Sequence, residues 1–96
     1  MIPFTQYLRP DGRKVSLEIE APAEVEAMAK RLMDHGWRFE CEVLTTGECS
    51  FTIVGEDPET GEEGDLAIET GPNDATVQDM VARLMRQGML LLWAAQ

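Results

Sequence analysis

Between Phe39 and Ala82 the chain has no lysine and no arginine, yet it places twelve aspartates and glutamates there. Outside that segment eight basic residues face six acidic ones, so the formal net charge of −10 arises almost wholly in one stretch. A surface of that sign repels nucleic acid and anionic membranes and attracts a basic partner. It also serves plain solubility. Other scarcities narrow the chemistry further. One histidine and two cysteines cannot close a four-ligand zinc site. No run approaches the ~18 apolar residues that would span a bilayer. The opening "MIPFTQYLRPDG" has no basic stretch followed by an apolar run, so no secretory leader is expected and the cytoplasm is the expected location. There is no glycine loop to cradle a phosphate and no basic–aromatic stripe for DNA or RNA. His35 has no serine or cysteine in view to activate. The expectation is a protein without catalytic residues and without a cofactor.

What remains is enough for one domain, residues 1–96, with 44% hydrophobic residues and a modest core. Its six methionines suit an adaptable core or a repacking contact surface. "RKVSLEIE" (13–20) alternates, with Val15, Leu17 and Ile19 on one side and Lys14, Ser16, Glu18 and Glu20 on the other, as in a half-buried strand. "PFTQYLR" precedes it, and "RPDGR" joins the two as a hairpin. A type I turn with a bulge sets Tyr7 opposite Val15 and Thr5 opposite Leu17. A two-residue Asp-Gly turn instead buries Phe4 and Leu8 but puts Pro10 where an N–H is wanted. Both registers stay open.

"APAEVEAMAKRLMDHG" reads as a helix. Pro22 suits its first position, Val25, Met28, Ala29, Leu32 and Met33 form one stripe, and Gly36 ends it. His35, in the last turn, caps the negative end of the helix dipole. "WRFECEVLTTGECSFTIVG" is then a hairpin around Thr45-Thr46-Gly47. Val43 falls opposite Cys49, Cys41 opposite Phe51 and Phe39 opposite Ile53, all on one buried face. The cysteines come out diagonal, ~7 Å apart at Cα and beyond comfortable disulfide reach, so two buried thiols are expected. "LAIET" supplies a fifth strand with Leu66 and Ile68 inward. After "GPNDAT", Thr76 and Asp79 resemble a capping box opening a second helix.

The end of the chain, "GMLLLWAAQ", is apolar where a terminus usually is not. "KRLMDHGW" and "ARLMRQGM" share Arg-Leu-Met-x-x-Gly, which would end the helix at Gly88 and make "MLLLW" a strand. Against that, Val77, Met80, Val81, Leu84, Gly88, Leu91, Leu92 and Ala95 keep a helical stripe through the glycine, and Leu, Met and Ala favour a helix. A long helix is the preferred reading. Met85, Met89 and Trp93 form a second row that, with Leu90, widens the apolar face beyond what one sheet contact needs. Met85, Met89, Leu90 and Trp93 are therefore the candidate surface of a homodimer.

The loop residues Glu56, Asp57, Glu59, Glu62, Glu63 and Asp65 are the kind a hard cation would want, but they lack the calcium-loop order. Glu40, Glu42, Asp65 and Glu69 make an outward acidic row on an open sheet face, a poor pocket for acid–base work. Together these nine acids are the candidate surface for a basic partner. The expected fold is α+β: a five-stranded, mainly antiparallel sheet with two helices on one face, in the order ββαβββα.

"PFTQYLRPDGR", "RFECEVLTTGE" and "EGDLAIE" followed by "GPN", spread over residues 3–74, resemble a group of small phage- and prophage-encoded proteins. The resemblance implies an accessory or host-interaction protein and carries no functional residue. The expected function is thus a non-enzymatic protein-binding protein acting through its acidic surface, by imitating nucleic-acid phosphates or blocking a basic host protein. The alternative is a structural or metal-sensing accessory domain that uses the 56–65 loop.

Overall fold

Alternation of apolar and polar residues over 37–43 and 49–53 builds the centre of the molecule. The computed structural model describes residues 1–8, 11–72 and 76–95. Its elements follow in the order ββαβββα: β1 (Ile2–Leu8), β2 (Arg13–Ile19), α1 (Ala23–Asp34), β3 (Arg38–Val43), β4 (Cys49–Glu56), β5 (Glu63–Gly71) and α2 (Val77–Ala94). The five strands form one mixed sheet in the order β2-β1-β3-β4-β5. Three pairings are antiparallel, and β1 with β3 is parallel, Thr5 lying opposite Glu40. That parallel pair follows from the connection: the chain passes through β2 and α1 before β3 enters beside β1.

The β3–β4 hairpin has the expected register, Val43 opposite Cys49, Cys41 opposite Phe51 and Phe39 opposite Ile53. Gly47 takes the left-handed conformation (φ +88°) that its loop requires. Phe39, Cys41, Phe51 and Ile53 join Ile2, Phe4 and Ile19 on one sheet face, in one core cluster with Val25, Ala29 and Leu32 of α1 and Met80, Val81, Leu84, Met85 and Leu92 of α2. Phe4 packs edge-on to Phe51 with centroids 5.7 Å apart and tilted to Phe39 at 5.5 Å. Val43 does not share this burial. It stays 43% exposed at the far end of the hairpin.

Helix α1 ends as the glycine predicts. The Gly36 N–H bonds the Met33 carbonyl at 2.9 Å, and the Trp37 N–H bonds that of Leu32 at 3.1 Å, a Schellman closure. The α2 helix runs through Gly88 without a break. A Cβ there would lie 2.6 Å from both Ile53 Cδ1 and Leu32 Cδ1, so the glycine lets α2 cross directly over β4 and against α1. Its loss of helix propensity, about 1 kcal/mol, is offset by that close approach. Thr76 is the N-cap of α2, but its side chain makes no capping hydrogen bond, so the expected capping box is not formed. Pro22 is likewise the N-cap of α1, one position before the helix it was expected to start.

Two strand readings are corrected. In the first hairpin Phe4 lies opposite Leu17, Gln6 opposite Val15 and Leu8 opposite Arg13, a register that neither expected turn produces. Phe4 is buried, which satisfies its apolar ring, and the Gly12 N–H closes onto the Leu8 carbonyl at 3.1 Å. Arg9 and Pro10 of that turn, and Asn73 to Ala75 of the break before α2, lie outside the described residues. In β5, Ala67 rather than Ile68 faces the core, because a bulge at Ile53/Val54 sets Ile53 opposite Ala67 and Val54 opposite Asp65. Leu66 is the extra residue and packs partly on the core, while Ile68 is turned outward and is 50% exposed. A small side chain suits the position beneath α2.

Candidate binding surface

The acidic residues do not form one continuous surface. Glu40 and Glu42 lie on the sheet face opposite the core, and the Tyr7 hydroxyl donates to the Glu40 carboxylate at 2.9 Å. Glu56 and Glu63 sit directly opposite each other at the start of the β4–β5 loop, an unfavourable like-charge pair that Arg38 relieves by bonding Glu63. The loop itself is closed by its own groups. The Asp57 carboxylate accepts the Glu59 N–H at 2.8 Å, the Asp57 carbonyl accepts the Gly61 N–H at 2.8 Å, and the Asp57 N–H donates to the Glu62 carbonyl at 2.8 Å. Glu59, Glu62 and Asp65 remain exposed. Among the described residues no three acidic, histidine or cysteine side chains converge in a way that could hold a metal ion.

Glu69 leaves the expected outward row. The β4–β5 register turns it to the helix side, opposite Phe51, where it accepts Gln87 Nε2 at 2.5 Å and pairs with Arg83 at 3.4 Å. It ties α2 to β5 and is a structural carboxylate. The clue in the sequence is Arg83 with Gln87 one turn on, a donor pair on the helix flank.

The apolar row of α2 is also redistributed. Met85 is wholly buried (0% exposed), so it belongs to the core and cannot be part of a contact surface. The reason is width: α2 packs on β4 and β5 and also on α1, and that corner covers both Leu84 and Met85. Past Gly88 the cover ends. Met89 is half-buried, while Leu90 is 62% and Trp93 74% exposed. These side chains border an open groove of about 570 Å³ between the two helices. Met28 and Leu92 also line it, and Arg31 and Arg86 stand at its rim. Neither arginine has an ion pair among the described residues. The helical stripe assigned Met28 to the core, but it is only half-buried and faces the groove, and nothing in the sequence singled out Arg31 or Arg86. Met28 and Arg31, three apart on the flank of α1, become a groove wall only once α2 lies beside them.

The thiols behave unequally. Cys41 is buried, and burial together with the neighbouring Cys49 pushes its pKa up to about 11. Cys49 is half-buried rather than buried, and neither cysteine is in a disulfide. His35 is the exposed C-cap of α1, its ring edge-on to Trp37 at 5.0 Å. Among the described residues no helix is long and apolar enough to cross a membrane. Comparison with known proteins finds no matching family model, no matching curated protein and no matching solved structure.

Proposed function

We propose that this chain is a non-enzymatic, protein-binding accessory domain of the cytoplasm that grips an amphipathic helix of another protein in the groove between α1 and α2. One observation carries the reading: Leu90 and Trp93 are 62% and 74% exposed beside a groove floored by Met89 and Leu92. Large apolar residues exposed contiguously mark contact sites, and Met, Trp and Arg are the types enriched there. A helix laid in a groove with apolar anchors at helical spacing is a recurrent form of such recognition. Arg31 and Arg86, without an ion pair among the described residues, ask for carboxylates flanking those anchors.

A second copy suits this groove less well, because a two-fold axis on the Met89–Trp93 row would gather four guanidinium groups around one apolar patch. The acidic row of Glu40 and Glu42 lies on the sheet face opposite the core and away from the groove, while the 56–65 loop approaches the end of α2, where Asp57, Pro58 and Glu59 border a cleft with Leu91, Ala94 and Ala95. They supply a long-range field that favours a partner with net positive charge and disfavours nucleic acid and anionic membranes. Arg38 interrupts that row and Glu69 leaves it, which speaks against a phosphate-like stripe as the gripping surface. The resemblance to small phage-encoded proteins supports an accessory role.

The test compares capture by immobilised wild type, Trp93→Glu and Glu62→Gln/Glu63→Gln proteins. Partner held by the groove is lost at least ~10-fold with Trp93→Glu, the effect of removing one interface hot spot. The double Gln variant keeps the partner and shows a weaker dependence on salt between about 50 and about 500 mM, where exposed charges become screened. Capture that survives Trp93→Glu and vanishes with the Gln variant would place binding on the acidic surface instead.

A further inference from the structure

An open five-stranded sheet has two edges, and the β2 edge is the barer one. Every residue of β2 except Ile19 is exposed, and β1 is its one strand neighbour. Because α2 packs over β4 and β5, Val15 and Leu17 on the helix side of β2 remain 40% and 36% exposed. On the other side stand Lys14, Ser16 and Glu18. The Lys14 ammonium lies 5.2 Å from the Tyr7 ring centroid, and neither Lys14 nor Glu18 has an ion-pair partner among the described residues.

We propose that β2 is a self-association edge: two copies of this chain pair their β2 strands antiparallel about Ser16 and join their sheets into one. The strand's own sequence specifies the register. An antiparallel edge pair with two-fold symmetry keeps the helix-side faces of both copies on the same side, so the axis must pass between two copies of one residue. Ser16 is the middle residue of the seven from Arg13 to Ile19, so centring there overlaps the whole strand. In that register Lys14 faces Glu18 of the second copy, and Glu18 faces its Lys14. Val15 faces Leu17, and Leu17 faces Val15. Two opposite-charge pairs and two apolar pairs result, all of the stabilising cross-strand kind.

Neighbouring symmetric registers lose this match. Centring on Val15 sets Lys14 against Ser16 and Glu18 against Gly12. Centring on Leu17 pushes the strand past its end at Ile19. Charged residues on an edge ordinarily discourage pairing, and of these registers only the Ser16-centred one pairs Lys14 with Glu18 inside the strand. The pairing also covers the parts of Val15 and Leu17 that β1 leaves exposed. It leaves the α1–α2 groove untouched and so stands independently of the groove reading, and a dimer would present two grooves.

The test is sedimentation of the full chain with charge variants, circular dichroism checking that each is folded. The wild type sediments as a dimer. Lys14→Glu and Glu18→Lys each raise the dimer dissociation constant about ten-fold or more, because two attractive contacts become two repulsive ones. The swap Lys14→Glu/Glu18→Lys restores the dimer, which a variant that merely misfolds would not do. A Ser16→Cys chain forms a covalent dimer under mild oxidation, since facing Cα atoms would be ~4.5–5.5 Å apart, within disulfide reach. Glu18→Cys does not, since its two copies would be ~13 Å apart along the strands. A wild type that is monomeric near ~1 mM, a swap that fails to restore, or a dimer that ignores Lys14→Glu but is lost with Trp93→Glu overturns the proposal.

Discussion

The first and last halves of α2 continue one apolar stripe but bury it unequally, since Leu91 is 40% exposed, and they treat their other faces in opposite ways. Up to Met85 the helix sinks Met80, Val81, Leu84 and Met85 and turns Gln78, Asp79 and Arg83 to water. Beyond Gly88 it sinks only Leu92 fully and turns Leu90 and Trp93 outward. The sheet and α1 need one apolar stripe, and the first half shows what a helix looks like when it provides no more than that. The apolar excess of the second half is therefore not explained by folding, and it coincides with the groove.

That contrast sets the order of expected effects. Leu84→Ala, at a fully buried position, removes core packing and leaves a cavity, with an expected loss of about 3 kcal/mol in urea unfolding. Gly88→Leu drives a side chain into Ile53 and Leu32, already 2.6 Å from a bare Cβ. Its expected loss is about 2–3 kcal/mol, typical of overpacking. Retained stability in that variant would mean that α2 does not lie as close as described.

Stability should also fall between pH 9 and about 11, because Cys41 is held protonated in the fold while an ordinary thiol ionises near 9.0. Its contribution is complete below pH 9 and is lost as pH rises through the raised value, since the unfolded chain gives up that proton first. Cys41→Ala should flatten this part of the stability curve relative to wild type. Glu69→Ala, which frees Gln87 and Arg83, is expected to lower stability by about 1 kcal/mol, and Glu69→Gln by less. Trp93→Glu comes last, within about 0.5 kcal/mol of wild type, as for an exposed position.

Much of the fold could be read from local chemistry. The β3–β4 hairpin was legible because Gly47 and the alternation on both strands select one register. The end of α1 was legible because Gly36 is the residue that a left-handed closure prefers. The long α2 was legible because its stripe runs through Gly88, although the reason for the glycine, contact with Ile53 and Leu32, is a tertiary fact. The rest depends on neighbours. Ile68 looks like a better core residue than Ala67 until a bulge and a close helix make the small side chain the one that fits. Glu69 looks like a surface acid until Gln87 and Arg83 are brought to it. Met85 and Met89 sit one turn apart with the same composition, and only the position of α1 decides that one is core and the other borders the groove. The acidic surface was legible as charge but not as geometry, since strand register distributes it over two faces and a loop.

The central claim is that the apolar surface beyond Gly88 serves contact with another protein and not the stability of this one. The most direct measurement is partner recovery on immobilised wild type against immobilised Trp93→Glu, each first shown by urea unfolding to be folded. The account expects equal stability within about 0.5 kcal/mol and at least ~10-fold less partner on the variant. A variant that unfolds, or one that is stable and recovers as much partner as the wild type, would contradict it.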